Sequence, residues 1–183
     1  MYFFVPLAYD RIQNEQGKGS IARCKVLIIE ATKIANTFGA RLVTFFSQAG
    51  YTKETPGNPS EGVREPLCDQ ISKYVTDVIP WVTFCSTPQA WGTYEELRYT
   101  LQQSKEWGRK EEKNYFYTST NLGHSFRVWL CLFFLRFQLK MWKGWKMRVL
   151  LADHSFSRKE WFQETGKFFV YLYGFIFKRP YVN

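Results

Sequence analysis

At 183 residues, 45% hydrophobic and 22% charged, the chain has the composition of a single globular domain (residues 1–183) with a substantial core. Its longest apolar run, residues 128–135, is far short of the roughly 20 residues a spanning helix needs, which excludes a transmembrane segment. Two histidines exclude a His-rich zinc site, and a net charge of +9 favours anionic partners: phosphorylated small molecules, nucleic acid or an acidic membrane face.

Residues 2–7 form a short aromatic and β-branched run, a strand. Residues 8–20 are polar, carry Gly17 and Gly19, and read as a loop. Ser20 is placed to cap a helix over 21–38. Its apolar positions Ile21, Cys24, Ile28, Ala31 and Ala35 recur at helical spacing, and Gly39 stops it. Residues 41–46 are the second strand. Residues 47–60 are dense in turn formers, and a connection of that length is usually functional. Ser60 caps a helix over 61–75, with Pro66 expected to kink or delay it.

Residues 78–84 are the third strand, and Pro80 implies an edge position or a late start. Residues 85–92 read as loop. Thr93 caps a helix over 94–107, and Thr93 with Glu96 has capping-box spacing. Gly108 ends it, and a charged turn follows. Residues 115–119 are a short buried strand, 120–123 a polar turn, and 125–139 an almost continuously apolar helix. Residues 142–145 make a basic aromatic turn before a fifth strand over 147–152. Ser157 caps the last helix, 158–177, whose greasy end is expected to cover the core, with a membrane-surface helix as the alternative.

Strands alternating with helices predict a three-layer α/β sandwich with a mainly parallel sheet of about five strands. In such sheets ligands bind beyond the carboxyl ends of the strands. That rule gathers Ser47 after strand two, Thr93 after strand three, and Ser119, His124 and Arg127 after strand four. His124 and Arg127 share a helix face at a spacing of three, near a helix start that favours an anion. Arg23 and Arg127 are candidate anion ligands. Glu61 and Glu95 open helices two and three; each is either a carboxylate favoured by the helix dipole or a general base. His124 is the candidate for proton transfer. A Ser119–His124–Asp153 triad can be drawn, but no nucleophile elbow, dinucleotide fingerprint or P-loop accompanies it.

Cys24, Cys68, Cys85 and Cys131 are widely spread with no metal-ligand spacing. Reduced thiols in a cytosolic protein are expected, and no metal. Residues 1–6 lack the basic region of a secretory signal. Residues 113–152 contain seven Lys or Arg and no Asp or Glu. Lys140, Lys143, Lys146 and Arg148 are expected to form an exposed basic patch on the rim opposite the pocket.

The ordered set of features resembles the YdcF/SanA/ElyC-type family of bacterial domains. The resemblance runs over nearly the whole chain: Arg23 on the first helix, Ser47-Gln-Ala-Gly50 after strand two, and Ser60-Glu61 at the next helix. It continues with Gly92-Thr-Tyr-Glu-Glu96 at helix three, Thr118-Ser119 with His124 and Arg127 after strand four, and Glu160 in the last helix. The chain departs from the family in Pro6-Leu-Ala-Tyr9, where a glycine-rich turn is usual, and in lacking both Asn of the third motif. The resemblance implies a Rossmann-like fold and a nucleotide-type pocket, with S-adenosylmethionine as a reported ligand within the family.

Two functions follow. The first is a small-molecule enzyme, a transferase or hydrolase, or a ligand-binding domain. Its site would hold Arg23, Ser47, Gly50, Thr93, Ser119 and Arg127 as ligand contacts, with Glu61, Glu95 and His124 for chemistry. The second is a non-catalytic protein using its basic aromatic stretch on an acidic membrane or nucleic acid.

Overall fold

The structure, a computed structural model, describes residues 1–7, 18–49, 67–90, 92–109, 112–152 and 158–177. Five strands alternate with five α-helices: β1 (Tyr2–Pro6), α1 (Lys18–Phe38), β2 (Val43–Ala49), α2 (Leu67–Val78), β3 (Thr83–Ala90), α3 (Thr93–Trp107), β4 (Asn114–Thr120), α4 (Leu122–Gln138), β5 (Trp145–Leu151) and α5 (Arg158–Phe177). The sheet order is β3-β2-β1-β4-β5 and every pairing is parallel. This is a doubly wound, Rossmann-like α/β fold.

Successive side chains of a strand point to opposite faces, so adjacent phenylalanines serve different cores. Phe4, Phe45 and Tyr117 pack beneath α1 and α2, with Phe4 stacked 5.0 Å from Phe45 and 4.8 Å from Tyr117. Phe3, Phe46 and Phe116 face α3 and α4, with the Trp145 ring 5.7 Å from Phe3. The near-continuous apolar character of β1 follows from burial on both faces. The chain changes faces between β3 and β4, which puts the topological switch point between β1 and β4, the central pair.

Several element boundaries differ from the sequence reading. Strand β2 runs on through Ser47 and Gln48, both buried, where a loop was expected. Helix α2 extends to Val78, and β3 begins only at Thr83 and takes in residues read as loop. Pro80 lies in the intervening turn, and Pro88 is tolerated because β3 is an edge strand. Thr93 is not the cap of α3 but its first residue; Gly92 is the cap, without a side-chain hydrogen bond. The Glu96 carboxyl that a capping box would use points inward instead, to Ser47. Helix α4 starts at Leu122, three residues early, because Asn121 caps it: the Asn121 side chain accepts from the His124 N–H at 2.9 Å. Helix α1 starts at Lys18, so residues 18–20, read as the end of a loop, are helical, and Ser20 lies inside the helix and does not cap it. The rest of that loop (8–17), the Pro66 kink, and the caps expected at Ser60 and Ser157 lie outside the described residues.

All four cysteines are free thiols. Burial pushes the Cys131 thiol up to about 12, so it behaves as a core hydrophobe. Among the described residues no helix is long and apolar enough to cross a membrane.

Gly108 ends α3 against the Trp145 ring. A Cβ there would lie 2.8 Å from the ring and 3.0 Å from the Ser104 carbonyl. Gly108→Ala is therefore expected to lower stability by about 1–2 kcal/mol, read as a fall in thermal midpoint. An unchanged midpoint would mean that Trp145 moves freely, against its stacking on Phe3.

Candidate functional site

The carboxyl end of β4 carries the sequence Thr118-Ser119-Thr120-Asn121, and all four residues are buried. Thr118 ties β4 to β1, donating from Oγ1 to the Val5 carbonyl at 2.9 Å. Ser119 Oγ has no hydrogen-bond partner among the described residues, and neither does Asn121 Nδ2. Buried polar groups left without partners cost stability, so two together at the switch point are informative.

Immediately beyond, the first two turns of α4 present His124 and Arg127 on one face, as their spacing predicts. Helix α5 lies alongside α4 and supplies Glu164, whose carboxylate is the hub of the cluster. Glu164 Oε2 lies 2.6 Å from His124 Nδ1 and 3.2 Å from Arg127 Nη2; Oε1 lies 3.1 Å from Lys167 Nζ. Arg127 Nη2 is also 3.0 Å from His124 Nδ1. At 2.6 Å Nδ1 meets the Glu164 carboxylate as an ion-pair contact without hydrogen-bond geometry, and the same nitrogen lies within hydrogen-bond reach of Arg127 Nη2. The tautomer decides whether Nδ1 faces the carboxylate as a donor or the guanidinium as an acceptor. The Arg127 guanidinium sits 5.5 Å from the Tyr171 ring centroid, which closes the cluster on the α5 side.

Burial is the largest influence on His124 and holds its pKa below the ordinary value. The Glu164 contact and charge oppose this, and the Arg127 and Arg23 charges reinforce it. Burial alone would raise the Glu164 pKa. The close contact with His124 and the charges of Arg127 and His124 outweigh it, and the net direction is down. At neutral pH the pair is thus a neutral imidazole oriented by an ionised carboxylate.

A second cluster lies one strand over. Ser47 Oγ donates to Glu96 Oε1 at 3.3 Å, and Arg23, buried on α1, donates from Nη1 to the Leu7 carbonyl at the end of β1. Desolvation dominates at Glu96 and pushes its pKa up to about 8, against the Ser47 hydrogen bond, the Arg23 charge and the Gln48 backbone N–H. Burial thus favours the protonated acid at Glu96. The Arg23 charge acts on both Glu96 and His124, so it connects the two clusters across the switch point.

Of the residues singled out from sequence, Arg23, Ser47, Ser119, His124 and Arg127 are all at this rim, and all but His124 are buried. Thr93 opens α3 and is half-buried. Glu95 is also half-buried, and its charge reaches Tyr171. Its neighbour Glu96 is the carboxyl that meets Ser47 and Arg23. Gly50, Glu61 and Asp153 lie outside the described residues, as does the side chain of Glu160. The carboxylate on His124 is Glu164.

Sequence reasoning did not place Asn121 or Glu164 at the site, and it assigned Glu96 to a capping box. Asn121, an Asn immediately before an apolar helix, was a cap signal. Glu164, Lys167 and Tyr171 repeat at spacings of three and four, one helix face, which was the available signal for α5. Nothing in the sequence marked Glu96 as the inward-facing member of the Glu95-Glu96 pair.

Lys140, Lys143, Lys146 and Arg148 are all exposed. Lys140 and Lys143 follow α4 at the rim opposite the site. Arg148 is a correction: it lies midway along β5, opposite Tyr117, with its guanidinium 5.9 Å from that ring.

A doubly wound, all-parallel sheet with a polar, mixed-charge cluster at its switch point defines an α/β protein of the Rossmann-like class. Comparisons with protein-family models, curated proteins and solved structures found no match for this chain.

Proposed function

We propose that the protein binds a small anionic or zwitterionic ligand of nucleotide type at the strand ends between β1 and β4, and acts on it as a transferase or hydrolase. The observation that carries this reading is the buried pair Ser119 Oγ and Asn121 Nδ2, partnerless among the described residues, beside Arg127 at the start of α4. Arg127 Nε is a third buried donor without a hydrogen bond among the described residues. Donors of this kind suit a phosphate or carboxylate. The carboxylate of Glu164 and the acid of Glu96 add acceptor and donor capacity, which suits a ligand bearing both charges, as S-adenosylmethionine does. The resemblance to the YdcF/SanA/ElyC-type family supports the same ligand class. A cytosolic setting fits the free thiols.

In this reading Arg127 binds and does not exchange a proton at neutral pH. His124, neutral and held by Glu164, is the proton-transfer group. Loss of a buried charged contact costs about 2–5 kcal/mol of binding, so Arg127→Ala is expected to weaken affinity at least tenfold. Calorimetry with a nucleotide panel and S-adenosylmethionine on the natural sequence, Arg127→Ala and His124→Ala is the test. Equal affinities in all three for a ligand that binds would sink the site assignment.

A further inference from the structure

Helix α4 turns one face to the sheet, through Val128, Cys131, Leu132 and Leu135, and a second face to α5, through Phe134, stacked 4.2 Å from Phe175. Its remaining face carries Leu122, Phe126, Trp129, Phe133 and Phe137. These recur at spacings of four, three, four and four, so they lie along one stripe about 22 Å long. Each is between 49% and 59% exposed. A solvated helix face is ordinarily polar; one made only of large apolar side chains marks an interaction surface. The stripe is prolonged beyond the helix by Trp142, whose ring meets Phe137 edge-on at 4.6 Å.

Helix α5 runs parallel to α4, as the pairs His124–Glu164, Arg127–Tyr171 and Phe134–Phe175 show. Its distal half exposes Phe169, Tyr173 and Ile176, so both helices carry aromatic surface toward the same end of the fold. At that end stand Lys140 and Lys143, exposed, and Arg136, which braces the turn through the Met141, Trp142 and Trp145 carbonyls. Residues 113–152 contain no acidic residue.

From the apolar stripe and the charge beside it, we infer that the α4 face docks on an anionic lipid bilayer, the stripe lying in the interface and the lysines against the headgroups. Tryptophan at the boundary and a one-signed basic flank are what such a surface favours. A second copy of the chain is a poorer occupant, because it would bring like charges together on molecules of net charge +9. The stripe lies on the solvent side of α4, so its use is independent of the strand-end site.

Flotation of the full chain with phosphatidylcholine vesicles, with and without phosphatidylglycerol, tests this. The chain is expected to float with the anionic vesicles and to be released by salt. Phe133→Glu, at an exposed position, is expected to lower the partition coefficient at least about tenfold. Lys140→Glu with Lys143→Glu should lower it on the order of thirtyfold. Arg127→Ala should float like the natural sequence, which separates this face from the ligand site. Circular dichroism confirms that each variant is folded, and Trp129→Ser serves in place of Phe133→Glu if that variant is not. No flotation with anionic vesicles at low salt would overturn the inference. So would a dimer that Phe133→Glu dissociates, or binding confined to oligonucleotides.

Discussion

Glu164→Ala is expected to destabilise the protein by about 3–5 kcal/mol in urea unfolding at pH 7. The Glu164 side chain is 5% exposed and faces His124 and Arg127, themselves only 16% and 10% exposed. Removing it strands a buried guanidinium, and that uncompensated charge accounts for most of the loss. Lys167, half-exposed, contributes little of it. Glu164→Gln keeps a polar partner beside His124 and should recover part of the loss.

The pH dependence distinguishes this from a packing effect. The folded Glu164 pKa is depressed, so the stability it contributes is present above about 4.5 and is lost as pH falls through the folded value. The gap between the natural sequence and Glu164→Ala should therefore shrink in acid. The imidazole should also titrate lower in Glu164→Ala, since Glu164 is what opposes burial there. Identical urea midpoints at pH 7, or a gap that does not change with pH, would contradict the hub role of Glu164.

Glu96→Gln is expected to do the opposite and remove a stability loss that the natural protein suffers at neutral and mildly alkaline pH. The carboxyl titrates near 8 in the folded protein against an ordinary 4.5, so between those values the folded chain holds a proton that the unfolded chain has lost. Stability then falls as pH rises, by about 1.4 kcal/mol per unit, and levels off above the folded value. His124 has the reverse sign. Its folded pKa is depressed, so it loses stability as pH falls below about 6.5 and partly cancels the Glu96 slope there. Between pH 6.5 and 8 Glu96 contributes a fall on the order of 2 kcal/mol. It is opposed near the top of the interval by the Met1 amino group, whose pKa burial holds below its ordinary 8.0. The difference between the natural sequence and Glu96→Gln is therefore what isolates it. Glu96→Gln should remove that contribution over the whole interval from about 4.5 to 8 and leave the curve at more acid pH unchanged. Parallel stability curves for the two proteins over that interval would show that Arg23 and Ser47 keep Glu96 ionised.

The order of strands and helices was legible in the sequence because it depends on local pattern: aromatic and β-branched runs of five to seven residues, and apolar positions at helical spacing. The shared face of His124 and Arg127 was legible for the same reason, since helix geometry alone fixes neighbours three apart. The end of β2 was not. Ser47 and Gln48 have the composition of a turn, and it is pairing with β3 and cover from α3 that make them strand. Thr93 and Glu96 fit a capping box on spacing alone; only the approach of α3 to β2 decides that the Glu96 carboxyl bonds Ser47 instead. Glu164 is forty residues from His124, so its ion pair depends on how α5 docks on α4. Which face of α4 is left in solvent is settled in the same way. Over residues 128–135 its sequence is apolar all round, and only the packing of the sheet and α5 decides that Phe126, Trp129, Phe133 and Phe137 stay outside. Local periodicity determines elements and near neighbours. Contacts between elements distant in the chain depend on packing, which no single stretch of sequence encodes.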